Sequence, residues 1–290
     1  QGLNAFFTPN WSAMMDYKVW LAAYGHTFFS LSVGFGIMVT YASYLKPKTD
    51  LTGSGLIVGF ANASTEILAG IGIFAALGFM AYSANTNVEN VVSGGIGLAF
   101  IAFPKIISSL GASADLFGIL FFTSLFVAGI SSMVSILEVP IAAMMDKLKW
   151  SRKKAVSIIG GSSAVVSIAL FSSVNSIKLV DIIDHFINNI GIIGGALLSI
   201  LYVTWFKRSA LVSIRNHVNA ISTVQLGKGW SFTLTVITSL ILIVTLGLTI
   251  FNLVLKGYGD YSSSLQWMFG WGCIIFCAVV AVILARVKDR

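Results

Sequence analysis

From Trp20 to Leu45 the chain reads WLAAYGHTFFSLSVGFGIMVTYASYL, a stretch without a formal charge when His26 is neutral. A helix needs about 20 such residues to cross the hydrocarbon core of a bilayer, so this stretch is long enough to span. Its middle is a poor helix, because Ser30-Leu31-Ser32-Val33-Gly34-Phe35-Gly36 puts two hydroxyls and two glycines at mid-membrane depth. Each interior glycine costs roughly 1 kcal/mol relative to alanine. Irregular backbone at that depth survives only where protein or a water-filled cavity completes its hydrogen bonds. A helix broken there exposes carbonyls and amides together, which suits a cation and an anionic group bound side by side. The same small residues also suit the close approach of a neighbouring helix, and composition leaves both readings open.

Charged residues make up 10% of the 290 and hydrophobic residues 57%. A soluble domain carries about 25% charged residues, so the chain reads as an integral membrane protein without room for a sizeable soluble domain. Its net charge of +7 does not indicate nucleic acid, because the basic residues sit in short loops between apolar spans. Cys273 and Cys277 lie four apart within one apolar span and read as packing thiols, not a disulfide or metal site. No signal peptide is evident in Gln1 to Tyr17, and the absence of an initial Met suggests a piece of a longer protein.

The pattern predicts seven membrane helices. The first covers 19–45, the second 53–83, the third 115–145, the fourth 155–173, the fifth 182–205, the sixth 230–255 and the seventh 265–285. Residues 1–18 read as an external loop and 207–229 as a cytoplasmic loop. Within 84–114, the apolar piece 96–107 is interrupted by Pro104 and is too short to span, so it reads as a re-entrant or cap-like loop. Seven spans alternate sides, so loop charges test the layout. One side holds Lys46, Lys48, Lys147, Lys149, Arg152, Lys153, Lys154, Lys207, Arg208, Arg215, Lys228, Arg286, Lys288 and Arg290; the other holds Lys18, Lys105, Lys178 and Lys256. The positive-inside rule places the N-terminus outside and the C-terminus in the cytoplasm of a cell-membrane protein.

Polar residues at depth need partners. Asn62 and Glu66 share one helical face, and an intramembrane carboxyl is a functional hypothesis by default. The Asn62 carbonyl beside it suits a hard cation. Glu138 lies nearer the cytoplasmic end, where it can snorkel or pair with a buried cation. Ser131, Ser132 and Ser135 present hydroxyls, and the carbonyls around Ala128-Gly129 can be freed, but taken alone these serines read as interhelical hydrogen-bonding residues. His26 reads as a packing or hydrogen-bonded histidine. No Walker loop, HExxH, CxxC or nucleophile–base pair occurs, so the chain is not expected to be an enzyme.

Residues 20–44, Asn62 and Glu66 in the next span, and AGISS at 128–132 closely resemble the neurotransmitter:sodium symporters, in which these blocks form the sixth, seventh and eighth of twelve helices. The resemblance covers essentially the whole chain. It implies an all-α integral membrane protein with the LeuT-type fold of two inverted five-helix repeats. Residues 19–206 would be the second repeat and 230–290 two accessory helices with a short tail. It also implies roles by position. Phe29, Ser30, Ser32, Phe35, Ser132 and Ile136 match residues lining an amino-acid pocket, with Phe29 also part of its lid. Ser30 and Asn62 match ligands of one sodium; Ala128, Ser131 and Ser132 match the second sodium site. Asp184 matches the acidic half of the outer gate, and Asp146 with Tyr44 the inner gate network. Residues 97–106, GLAFIAFPKI, look like the external loop that plugs the vestibule. Glu66 stands where chloride-dependent members carry serine, so chloride is not expected to be required; His26 departs from the glutamine common at its place in that anion site.

The expected function is sodium-coupled symport of an apolar or aromatic amino acid by alternating access, with sodium as the co-transported ion. Substrate, sodium, the lipid bilayer and an N-terminal five-helix portion are the expected partners, and nucleic acid is not. The alternative is a non-transporting membrane subunit or an inactive fragment.

Overall fold

In the computed structural model, residues 1–91, 97–173 and 176–287 are described. Residues 92–96 of the expected vestibule loop, and Lys288 and Arg290 of the basic tail, lie outside them. Among the described residues the chain is built of helices: α1 Gly2–Phe7, α2 Tyr17–Ser30, α3 Ile37–Ser43 and α4 Leu51–Ser83. There follow α5 Leu98–Ser108, α6 Ala114–Leu148, α7 Arg152–Phe171, α8 Ser176–Phe206, α9 Arg208–Ile221, α10 Lys228–Lys256 and α11 Ser263–Arg286. Six of these, α4, α6, α7, α8, α10 and α11, are long and apolar enough to cross a membrane. The expected first span is not one of the six because it is two short helices, α2 and α3.

Three of the expected loops hold helix: α5 lies within 84–114, and the other two are 1–18 and 207–229. Residues 1–18 contain α1 and a tight turn at Trp11–Met15, whose start is capped by the Asn10 side chain accepting from the Ala13 amide. Residues 207–229 contain α9, whose turn back is closed by Asn219: its carbonyl accepts from the Leu226 amide and its amide donates to the Leu226 carbonyl. In both stretches the polar residues that suggested loop supply turn bonds or one face of a short helix.

The chain divides into two compact units. One contains Gln1–Val19 and Leu56–Val134. There Phe6 stacks on Phe74 with ring centroids 4.9 Å apart, and Gly2 lies so close to the backbone of α4 at Phe74 and Gly78 that any side chain would collide. Phe103 of α5 stacks on Phe121 of α6 at 4.6 Å. Among Phe79, Leu98, Phe103, Phe117 and Phe121 lies an apolar cavity of about 730 Å³.

The second unit contains Trp20–Gly55 and Ser135–Arg290. Ile182, Phe186, Ile190 and Leu253 form one core, joined by Tyr258, Tyr261 and Trp271. Ile193, Leu197 and Leu242 form another, against which Phe28 packs. The helices here carry wide i→i+5 turns at Ile187–Ile192, Tyr202–Phe206, Thr233–Thr238 and Gln266–Trp271. The loop after α3 is fastened by Asp50, which accepts from the Gly53 amide and from the amide and hydroxyl of Thr223. Ser222 returns the favour by accepting from the Leu51 amide at 3.1 Å, so the first amides of α4 are capped from across the fold.

A broken helix and its polar flanks

The interruption between α2 and α3 is a helix ending of defined geometry. Ser32 has φ 54°, and its amide donates to the Phe29 carbonyl, while the Val33 amide donates to the Phe28 carbonyl. That pair of bonds around a left-handed residue is a Schellman ending. Serine in the left-handed region costs about 1–2 kcal/mol, where glycine would cost little. Gly34 (φ 84°) and Gly36 (φ 81°) carry the chain on, and the helical ladder resumes where the Thr40 amide meets the Gly36 carbonyl at 2.9 Å. Gly34 is also crowded: a Cβ there would lie 2.9 Å from a methyl of Ile192 and 3.1 Å from the Ile192 carbonyl oxygen. Conformation and space therefore both require glycine.

Of the expected pocket residues in this unit, Phe29 and Phe35 flank the break with ring centroids 5.9 Å apart, edge to face. Ser30 is the last residue of α2 and Ser32 the left-handed residue of the ending. Phe29 is 61% exposed and Ile136, on α6, is 49% exposed. His26 lies one turn before Ser30 on α2, with its side chain exposed.

Below the break, α3 is held to α6 by two parallel rungs. The Tyr41 hydroxyl donates to Ser135 Oγ at 2.7 Å, and the Tyr44 hydroxyl to Glu138 Oε1 at 2.8 Å. Both pairs use residues three apart, one face of each helix. Arg152 closes on Glu138 with Nη1 to Oε1 at 2.9 Å and Nη2 to Oε2 at 3.0 Å. This bidentate fork resolves the two fates open to Glu138: the carboxyl is buried and paired with a cation supplied at the start of α7. Tyr44 thus bonds Glu138 and not Asp146, for which no hydrogen bond or ion pair occurs among the described residues. Asp146 instead lines a groove with Ala143, Lys147, Leu284 and Ala285. Arg152 was counted in the sequence only as a loop charge; the deep Glu138 signalled that some cation was needed but not which one.

In the other unit, Asn62 Nδ2 donates to Glu66 Oε1 at 2.6 Å, across the one helical face that their four-residue spacing gives them. That assigns the NH₂ end of Asn62 to Glu66. On α6 the Ser131 hydroxyl and the Ala128 carbonyl oxygen lie 2.8 Å apart, with Ser132 next in the chain. Ala128, Ser131 and Ser132 are exposed. Neutral oxygens and carboxylates are the donor types that hard cations take. Asp184, near the start of α8, accepts from Asn188 at 2.8 Å.

The profile of the sodium:neurotransmitter symporter family matches residues 1–289. An uncharacterized sodium-dependent transporter of Methanocaldococcus jannaschii is 39% identical over 287 residues, covering 99% of this chain and 58% of that protein. The sodium- and chloride-dependent glycine transporter 2 of Xenopus laevis is 26% identical over 283 residues, covering 96% of this chain and 35% of that protein. The sodium-dependent nutrient amino acid transporter 1 of Drosophila grimshawi is 36% identical over 158 residues, covering 54% of this chain and 25% of that protein. The chain thus spans little more than half of the first of these relatives and a smaller share of the others.

Proposed function

The chain belongs to the sodium:neurotransmitter symporter family, and from that premise we propose that it forms part of a transporter moving an apolar or aromatic amino acid into the cell with sodium. The observation that carries the proposal is the Schellman ending at Ser32 within an otherwise apolar span, between a terminal Ser30 and the Phe29–Phe35 pair. A helix that stops at this depth turns the negative end of its dipole, its last carbonyls and a serine hydroxyl toward whatever lines the break. That chemistry suits a dehydrated sodium ion. Phe29, Phe35 and Ile136 supply apolar surface for a substrate side chain, and Ser32 and Ser132 polar edges for its backbone.

In this reading Ser30 and Asn62 contribute to one sodium site, and Ala128, Ser131 and Ser132 to a second. Glu66 orients Asn62 and supplies negative charge where an anion would otherwise be needed; chloride is then dispensable. His26 occupies the edge of that anion site. Phe29 closes over the substrate, Asp184 belongs to the outer gate, and Tyr44 with Asp146 to the inner one, where Glu138 and Arg152 hold Tyr44. The N-terminus of the chain faces outward and its C-terminus the cytoplasm, following the loop charges. Further helices, supplied by the rest of a longer protein or by a second polypeptide, complete both sodium sites and the pocket.

The test is uptake of tritiated leucine by the complete transporter in proteoliposomes under an inward sodium gradient. Asn62→Ala should raise the sodium concentration for half-maximal uptake about tenfold or abolish uptake, because the cation loses a ligand in a dehydrated site. His26→Gln should leave it near wild type. Equal sodium dependence in Asn62→Ala and wild type refutes the site assignment, and sodium-independent uptake by wild type refutes the coupling.

A further inference from the structure

Two carboxylates stand three residues apart at the start of α8 and are held in opposite ways. Asp184 is exposed, and among the described residues its hydrogen bond comes from Asn188 of the same helix. Asp181 has both oxygens taken by residues from a distant part of the chain: the Tyr258 hydroxyl donates to Oδ1 at 3.1 Å and the Tyr261 hydroxyl to Oδ2 at 2.8 Å. Each oxygen of Asp181 thus has a hydroxyl donor of its own, the Tyr261 bond being the shorter of the two.

The loop carrying the two tyrosines, between α10 and α11, is built to present them. Gly257 (φ 70°) and Gly259 (φ 55°) bend it with left-handed backbone. The buried side chain of Gln266 then ties it down: Oε1 accepts from the Tyr258 amide at 2.8 Å, and Nε2 donates to the carbonyls of Tyr258 at 3.1 Å and Tyr261 at 2.8 Å. The imidazole of His185, one turn after Asp181, lies flat on the Tyr258 ring at 3.6 Å between centroids. Ile182 and Phe186 are fully buried against the same elements, and Phe186 fits against Gly270 so closely that a Cβ there would be 2.6 Å from its ring. Burial and the Asp181 charge push the Tyr258 phenol up to about 12, and the bond to Asp181 raises Tyr261, so both remain protonated donors at neutral pH.

We propose that Asp181, Tyr258 and Tyr261 are positioning residues that clasp the start of α8 to the loop between the last two helices and thereby fix where Asp184 stands. Directly after the clasped turns, α8 widens into the i→i+5 turn at Ile187–Ile192. Wide turns of this kind are places where helices kink. The placement of residues 176–186 is therefore set by what grips them from the side, not by the helix beyond. The accessory helices acquire a function by this route: they hold one half of a gate. The inference rests on the reading of Asp184 as part of the outer gate.

The experiment follows release of bound tritiated leucine from the complete transporter in nanodiscs in constant sodium. Wild type is compared with Tyr258→Phe/Tyr261→Phe, Asp184→Asn and the triple variant. The two phenylalanines remove only hydroxyls and should speed release about tenfold while leaving the sodium concentration for half-maximal binding unchanged. They should add nothing in the Asp184→Asn background. Amide hydrogen exchange should rise in residues 176–186 and not in α7, which separates a loosened clasp from general unfolding. Release at the wild-type rate in the double variant, with Asp184→Asn fast, overturns the clasp and leaves the gate standing. An additive effect in the triple variant overturns it likewise. Unchanged release in Asp184→Asn overturns the gate reading and the clasp with it.

Discussion

Adding one methyl group at Gly34 should damage the protein, whereas adding it at Gly25, on the same expected span, should not. At Gly34 the backbone has φ 84°, and the new Cβ would stand 2.9 Å from Ile192 Cγ2, 3.1 Å from the Ile192 carbonyl oxygen and 3.2 Å from the Ala196 Cβ. Left-handed backbone costs an L-residue about 1–2 kcal/mol. Forcing a methyl into filled space costs about 1–3 kcal/mol more. Replacing glycine also removes freedom from the unfolded chain, which offsets about 0.4–1 kcal/mol. The net loss for Gly34→Ala is then roughly 1–5 kcal/mol on these terms. At Gly25, inside α2, nothing lies within 4 Å of the added Cβ, and alanine gains about 1 kcal/mol of helix propensity. The two variants should therefore move the apparent melting temperature of the detergent-solubilised complete transporter in opposite directions, with Gly34→Ala several degrees lower. Ile192→Ala truncates a buried side chain and is destabilising alone, but should cost less in the Gly34→Ala background than in wild type, since it removes the methyl contact and leaves the carbonyl contact and the positive φ. Equal melting of Gly34→Ala and Gly25→Ala would refute the claim that this break is a fixed feature of the fold.

At Glu66, replacement by serine should make sodium-driven leucine uptake stimulated by chloride, because a buried sodium needs nearby negative charge and an uncompensated charge costs several kcal/mol. Uptake by Glu66→Ser that is the same in chloride and gluconate, or wild type that already needs chloride, would count against the role given to this carboxylate. At Asp50, the Thr223 hydroxyl, followed by the Gly53 amide, holds the carboxyl well below the usual carboxylate range. A lowered pKa gives stability that is complete above the unfolded value of about 4 and is lost as pH falls through the lower folded value. Asp50→Asn should therefore melt below wild type from pH 8 down to pH 4, with the gap closing only in stronger acid; a gap that closes between pH 7 and pH 5 would show that another group is responsible.

The helix break and one helical face of the next span were legible because they are local. The break at Leu31–Gly36 follows from hydroxyls and glycines at membrane depth, and the shared face of Asn62 and Glu66 follows from four-residue spacing, which puts two side chains on adjacent turns whatever the rest of the fold does. Where bonds join distant residues, spacing was silent. Glu138 was recognisable as a carboxyl in need of a partner, but Arg152 stood among several loop cations with nothing local to select it. Asp181 was passed over beside Asp184 because two carboxylates three apart look alike until a tyrosine loop some eighty residues further on chooses between them. The helices α1 and α9 were missed for a related reason: short stretches of mixed polarity form helix only when packing supports them, since an isolated helix of this length is marginal.

By itself, the amino-acid sequence determined the solvent of this protein, the membrane, and with it the helices, because a span of apolar residues in lipid has no other way to satisfy its backbone. It also determined where one span must fail as a helix. Only the tertiary structure decided what that failure looks like, a Schellman ending with Gly34 pressed on Ile192, and which polar groups fasten the pieces: Tyr41 to Ser135, Tyr44 and Arg152 to Glu138, Tyr258 and Tyr261 to Asp181. The physical reason is range. Backbone hydrogen bonding and helical spacing act over four or five residues, whereas the choice among equivalent polar partners is made by side-chain packing that brings together residues from 14 to 94 positions apart.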